Sequence, residues 1–278
     1  MKYLHSIITF LFPIICSAQK SDSVFLKWKV GSNETLNYLM AVTQIIAELD
    51  SASSLKKPKI SITKFYGSTT PYTGTDTMLF SLTSKKNIIN INLINIKQSI
   101  RPLGVDTTKG FAWYKTIPGD TVFRGSLDDT GSIHTFYSSD LNQMALYFQL
   151  PNIKIKIGDS WPVDFGGIYL NGAFNCDSLN GAFNYDSCFK LNSVTLTDIK
   201  KRNNETFAVI NYNIREYVSG TPIDTFEVEK FMMEFSYKAT GEFSIEKGRW
   251  ISYNGIQTST STGMLGGKQT MKVSLIHK

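Results

Sequence analysis

Acid–base, nucleophilic and metal chemistry draw on Asp, Glu, His, Cys and Ser, and in this chain of 278 residues such groups are scattered rather than gathered into motifs. Nucleophilic catalysis needs a hydroxyl or thiol, a base within reach and an oxyanion donor. No Gly-x-Ser-x-Gly elbow supplies that set. His134 follows the turn Asp128-Asp129-Thr130-Gly131 and reads as an exposed hairpin residue, while His277, next to last, reads as a frayed end. Glu227, Glu229 and Glu234 could furnish the paired carboxylates of a glycosidase. Alternation accounts for the first two more simply: Phe226 and Val228 point one way, and Glu227 and Glu229 point to solvent. Gly263, Gly266 and Gly267 have neither phosphate-loop nor dinucleotide spacing and read as a hairpin loop.

Three cysteines are present, Cys16, Cys176 and Cys188, with no Cys-x-x-Cys spacing, and three histidines are too few for a zinc or copper cluster. The expectation is no metal, no cofactor and no enzyme. Cys176 and Cys188 are candidates for one disulfide closing a short loop, the alternative being two buried small hydrophobes.

The most distinctive stretch is LPNIKIKIGDSWPV, residues 150–163. Pro151 stops a preceding helix, Ile153, Ile155 and Ile157 are expected to form a buried face, Gly158-Asp159 turns the chain, and Trp161 re-enters the core. Asp159 is expected to spend its carboxylate on local backbone N–H groups rather than on chemistry. Close behind it, LNGAFNCDS at 170–178 is repeated at once as LNGAFNYDS at 179–187. A nine-residue period puts equivalent side chains on opposite faces of a straight strand, so this duplicated segment is expected to be a loop or hairpin extension. Asp177 and Asp186 give one acid per unit, too few for a calcium site.

The elements that would position these residues are mostly strands. Leu36, Tyr38, Met40 and Val42 alternate with polar or small neighbours, as do Ile89, Ile91 and Leu93, Phe207 and Val209, Tyr212 and Ile214, and Met271, Val273 and Leu275. A helix over 33–50 competes with the first of these runs, and the strand reading is preferred. Helical spacing occurs at Leu141, Met144, Ala145 and Phe148, with caps at Ser138, Ser139 or Asp140, predicting one short helix near 140–149. Two stretches, 125–137 and 241–253, share a plan of strand, acidic turn ending in Gly131 or Gly248, and second strand. They read as two hairpins or as the mark of two pseudo-repeated halves. The fold class expected is mainly β: a curved antiparallel sheet or half-barrel-like sandwich with one short helix.

Hydrophobic residues make up 42% and charged residues 19%, which excludes a disordered chain and a charged coiled coil. Residues 1–18 carry Lys2, an apolar run from Ile7 to Ile15 and small Ser17-Ala18, the pattern of a signal peptide. That run falls short of the roughly 20 residues that span a bilayer, so residues 19–278 are expected to be one exported β-rich domain without a transmembrane segment, periplasmic, envelope-held or extracellular. The net charge of +6 is mild, and its densest groups, Lys56-Lys57-Lys59 and Lys200-Lys201-Arg202, read as solvated turns, against a nucleic-acid partner.

LPNIKIKIGDSWPV, the LKWKVGSNETLNYLM stretch at 26–40 and the glycine-turn hairpins resemble an uncharacterised family, a domain of unknown function, of exported bacterial envelope proteins with an LPxxxVxxGDSW-like motif. The resemblance implies a mostly β envelope protein and brings no substrate, cofactor or active-site residue; the nine-residue duplication lies outside it. Two function classes follow. With 18 Phe, 13 Tyr and 4 Trp, the sheet could hold an apolar or lipid-like ligand, though such residues also simply fill cores. The alternative is a structural or protein-interaction component of the cell envelope, binding through an edge or the duplicated loop.

Overall fold

Alternation becomes strand wherever a second alternating segment is available to pair with it. The computed structural model describes residues 23–47, 72–86, 88–99, 117–135, 138–168, 183–222, 230–262 and 267–278. They form eleven strands and one helix: β1 (Thr35–Ala47), β2 (Tyr72–Lys85), β3 (Ile88–Lys97), β4 (Thr121–Leu127), β5 (Ile133–Thr135), α1 (Ser138–Phe148), β6 (Ser160–Trp161), β7 (Phe183–Arg202), β8 (Glu205–Pro222), β9 (Phe231–Ser244), β10 (Arg249–Thr262) and β11 (Gly267–His277). All strands belong to one antiparallel sheet in the order β5-β4-β3-β2-β1-β11-β10-β9-β8-β7-β6. Two meanders, β1 to β5 and β7 to β11, therefore meet at a central seam where β1 pairs with β11, Val42 opposite Val273. The mainly β fold with one short helix is as expected. The 33–50 stretch is strand to Ala47, and the helix starts two residues before the expected Asp140.

Period two divides the sheet into a face covered by α1, here the core face, and an outer face. Leu36, Tyr38 and Met40 of β1, Phe80 and Leu82 of β2, Ile91 and Leu93 of β3 and Trp250 and Tyr253 of β10 are buried on the core face. Met144, Ala145 and Phe148 of α1 are buried against them, so helical spacing and strand alternation supply two sides of one core. Phe148 lies edge-on to Phe80, ring centroids 5.1 Å apart, and Tyr147 edge-on to Tyr253 at 5.7 Å.

A helix leaves its last carbonyls without partners, and here aromatic side chains supply three of them. Tyr253 Oη donates to Leu146 O (2.9 Å), Trp250 Nε1 to Tyr147 O (2.7 Å) and Trp28 Nε1 to Phe148 O (2.7 Å). Trp28 comes from the segment 23–34, which crosses the turn end of the sheet. Trp28 N donates to Asp129 O and Lys29 N to Gly248 O, tying together the β4–β5 and β9–β10 turns. Both turn glycines are left-handed, Gly131 at φ 81° and Gly248 at φ 60°. The two hairpins nevertheless occupy different places, β4–β5 at one end of the strand order and β9–β10 inside it.

Two expectations fail here. Of Ile153, Ile155 and Ile157 only Ile155 is buried; Ile153 is 64% and Ile157 52% exposed. The reason is that no strand forms: the segment makes a single bridge, Ile155 to Val24, and bends away on either side. His277 is not frayed either. It is the last residue of β11, opposite Tyr38, and its ring stands edge-on to the Tyr38 ring at 5.9 Å.

Candidate functional site on the core face

Next to α1 the core face is buried and aromatic. Tyr147, Tyr212, Tyr237 and Tyr253 form a buried cluster, with Tyr212 edge-on to both Tyr237 (6.2 Å) and Tyr253 (5.6 Å). Tyr253 commits its single hydroxyl proton to Leu146 O, so in the short hydroxyl pair between Tyr237 and Tyr253 it is Tyr237 that donates. Burial pushes all four phenols well above the ordinary tyrosine range, so they stay protonated. Gly255 makes the cluster possible: a Cβ there would lie 2.5 Å from Tyr237 Oη. The hydroxyl of Tyr212 is buried and finds no hydrogen-bond partner among the described residues.

Beyond the cluster the core face continues past α1. The next row runs Gln44 (β1), Met271 (β11), Gln257 (β10) and Tyr237 (β9), directly paired across four strands. Val42 and Asp76, paired across β1 and β2, border it on the helix side, with Met78 opposite Met40 one row further on. Val42, Met78, Met271 and Gln257 are half-buried, neither sealed in the core nor open to solvent. Gln44 is only 6% exposed, yet its carbonyl Oε1 accepts nothing among the described residues. Asp76 is buried and accepts from both Ser99 N and Ser99 Oγ at 2.8 Å. The Gln44 amide thus lies opposite the Met271 thioether, with Val42 in the next row of the same face.

On the β7–β9 side the same face is occupied by the chain's own segment 163–168. Phe165 packs on Phe235 at 5.2 Å, and the fully buried Glu216 carboxylate accepts from Gly167 N and Ile168 N, both at 2.8 Å. Lys190 Nζ stands 3.6 Å from its other oxygen. Glu216 is thus a clamp for a covering segment. A separate groove of about 770 Å³ lies on the outer face, where Lys238, Ile256 and Lys272 form one cross-strand row and Asn211, Thr240 and Asn254 another. It is a trough over solvent-facing rows, with none of the buried, unpartnered groups of the core face.

The residues singled out in the sequence are dispersed. Gly158 is left-handed, and Asp159 Oδ2 accepts from Lys156 N (2.8 Å), the local turn expected of it. Trp161 is buried, paired in β6 with Val194 of β7, and its Nε1 has no partner among the described residues. Cys188 lies in β7 and is disulfide-bonded. Cys176, Asp177, Glu227 and Glu229 lie outside the described residues. Glu234 is on the outer face with Arg215 3.7 Å away, Asp186 pairs with Lys230 at 3.1 Å, and His134 is exposed on β5. Of the duplicated segment, expected to be a loop or hairpin extension, Phe183 to Ser187 are strand and prolong β7 along β8, which runs on to Pro222 and offers them a partner. The rest of 170–182 lies outside the described residues.

No protein-family model and no curated protein matches the chain. Among the described residues no three His, Cys, Asp or Glu side chains converge as metal ligands would, and no helix is long and apolar enough to cross a membrane. The sequence reading missed Gln44, Asp76 and Glu216. The only available signal was a polar residue in the core-facing phase of an alternating run, as in Met40-Val42-Gln44.

Proposed function

We propose that this protein is an exported, non-enzymatic binding module of the cell envelope that holds an apolar or lipid-like ligand along the core face beyond α1. Gln44 carries the reading: burying an amide carbonyl without a donor costs about 1–3 kcal/mol, and a ligand hydroxyl, amide or ammonium group would remove that cost. Met78, Met271 and Val42 supply a pliable apolar wall for the rest of such a molecule. The sheet is taken to curve around α1, half-barrel fashion, since Tyr147 and Phe148 meet rings from β2 on one side and β10 on the other. The envelope setting rests on the signal-like residues 1–18 and on the resemblance carried by LPNIKIKIGDSWPV.

The test is native against denaturing mass spectrometry of residues 19–278 from an exported preparation. The expected result is an extra mass lost on denaturation, or acquired from a lipid extract, and diminished in Gln44→Leu and Met271→Glu variants. A clean mass with no uptake from the extract overturns the reading and directs the search to protein partners.

A further inference from the structure

The stretch Asn152 to Ser160 exposes every side chain except that of Ile155. Exposed isoleucines, Ile153 at 64% and Ile157 at 52%, bracket exposed Lys154 and Lys156. Looseness does not account for this exposure, because the segment is pinned at both ends and in the middle. Pro151 is buried. Ile155 exchanges two hydrogen bonds with Val24, at 2.8 and 2.9 Å. Gly158 N donates to Leu196 O at 2.8 Å, and the turn at Lys156–Asp159 is closed by Asp159 N to Lys156 O and by Lys156 N to Asp159 Oδ2. The only carboxylate on the stretch is that of Asp159, and one of its oxygens is spent on this turn.

We propose that Ile153–Ile157 is a docking tip for an anionic lipid surface. Two apolar side chains on a fixed tip can enter the boundary between headgroups and acyl chains, while neighbouring lysine stems lie along it and place their ammonium groups at the phosphates. A protein partner fits the stretch less well, since a stable interface takes about 800 Å² from each side and five residues offer far less. The inference goes beyond the binding reading and does not depend on it: a chain with no ligand would still dock.

The test is co-sedimentation of residues 19–278 with vesicles of phosphatidylcholine plus phosphatidylglycerol, against phosphatidylcholine alone. Wild type is expected to partition preferentially onto the anionic vesicles. Lys154→Gln with Lys156→Gln should lower that partitioning about tenfold or more, from the usual contribution of each surface lysine. Ile153→Ser with Ile157→Ser should lower binding with an unchanged unfolding midpoint, both positions being exposed. In an Ile153→Trp variant, quenching of the new indole by nitroxide-labelled acyl chains would place the tip in the bilayer. The proposal is overturned if wild type stays in the supernatant, if the isoleucine pair can be replaced without loss, or if the new indole is not quenched.

Discussion

Gly131 shows how one residue can hold a turn and a helix end together. It has φ 81°, and a Cβ at this position would stand 2.1 Å from Phe148 O and 2.8 Å from Leu150 N. Gly131→Ala therefore meets both a left-handed backbone and a steric block, and should cost about 2–4 kcal/mol, read as a lower urea midpoint. Glu34 makes a different prediction, about pH. It accepts from Arg249 Nη1 (2.6 Å) and Gly31 N (3.0 Å), and these hydrogen bonds, Arg249 foremost, hold its carboxyl below the ordinary glutamate range. A depressed folded value means the stabilisation is complete above the unfolded value of about 4.3 and is lost as the pH falls through the lower folded value. Melting temperature against pH should thus fall less steeply in Glu34→Gln than in wild type over that acid window; parallel curves would remove Glu34 from the account. Neither role was fully legible. The Gly131 turn could be read from Asp-Asp-Thr-Gly, but its approach to α1 could not. Gln44 and Asp76 were hidden because a polar residue in a strand pattern defaults to the solvent side.

At the scale of elements, the aromatic donors on the α1 carbonyls are the most testable arrangement. Tyr253→Phe removes the donor to Leu146 O and also the acceptor for Tyr237, leaving two buried polar groups without partners. It should cost about 2–4 kcal/mol by thermal or urea unfolding. Tyr237→Phe removes a donor whose acceptor keeps its bond to the helix, so its cost should be smaller, about 1 kcal/mol. Equal effects would mean that the bond to Leu146 O contributes little. The strands themselves were legible wherever alternation was sustained, as in β1, β3 and β11, and α1 was legible from Met144, Ala145 and Phe148. The same logic misled at Ile153, Ile155 and Ile157, since alternation reports that a segment could be half-buried and not that a partner strand waits for it. At the other extreme, β7 and β8 run for 20 and 18 residues. A two-residue Asn203-Asn204 turn, both residues left-handed, fixes their register; Lys200-Lys201-Arg202, expected to be a turn, are the last residues of β7, and the turn follows them.

For the whole molecule, four carboxyls held below their ordinary range gather at the turn end of the sheet. Ser244 and Lys247 lower Glu205 by hydrogen bonding, and at Asp128 and Glu246 burial pushes upward but hydrogen bonds, from Thr130 and Ser132 in one case and chiefly Thr206 in the other, outweigh it. With Glu34 they make this end the one that acid should open first. Hydrogen exchange as the pH is lowered through the carboxylate range should deprotect the β4–β5 and β9–β10 turns before the β1–β11 seam, and simultaneous loss would contradict that order. The sheet order itself was beyond the sequence, because nothing local says that β1 skips to β11, whereas each hairpin neighbour is a short-range matter. That skip has a bearing on biosynthesis. A ribosome delivers the β1–β5 meander long before β11 exists, so one flank of β1, with Met40 and Val42, must wait unpaired until the final strand emerges. The sheet can be completed only once β11 has been made, leaving an interval in which a chaperone would find an unsealed chain.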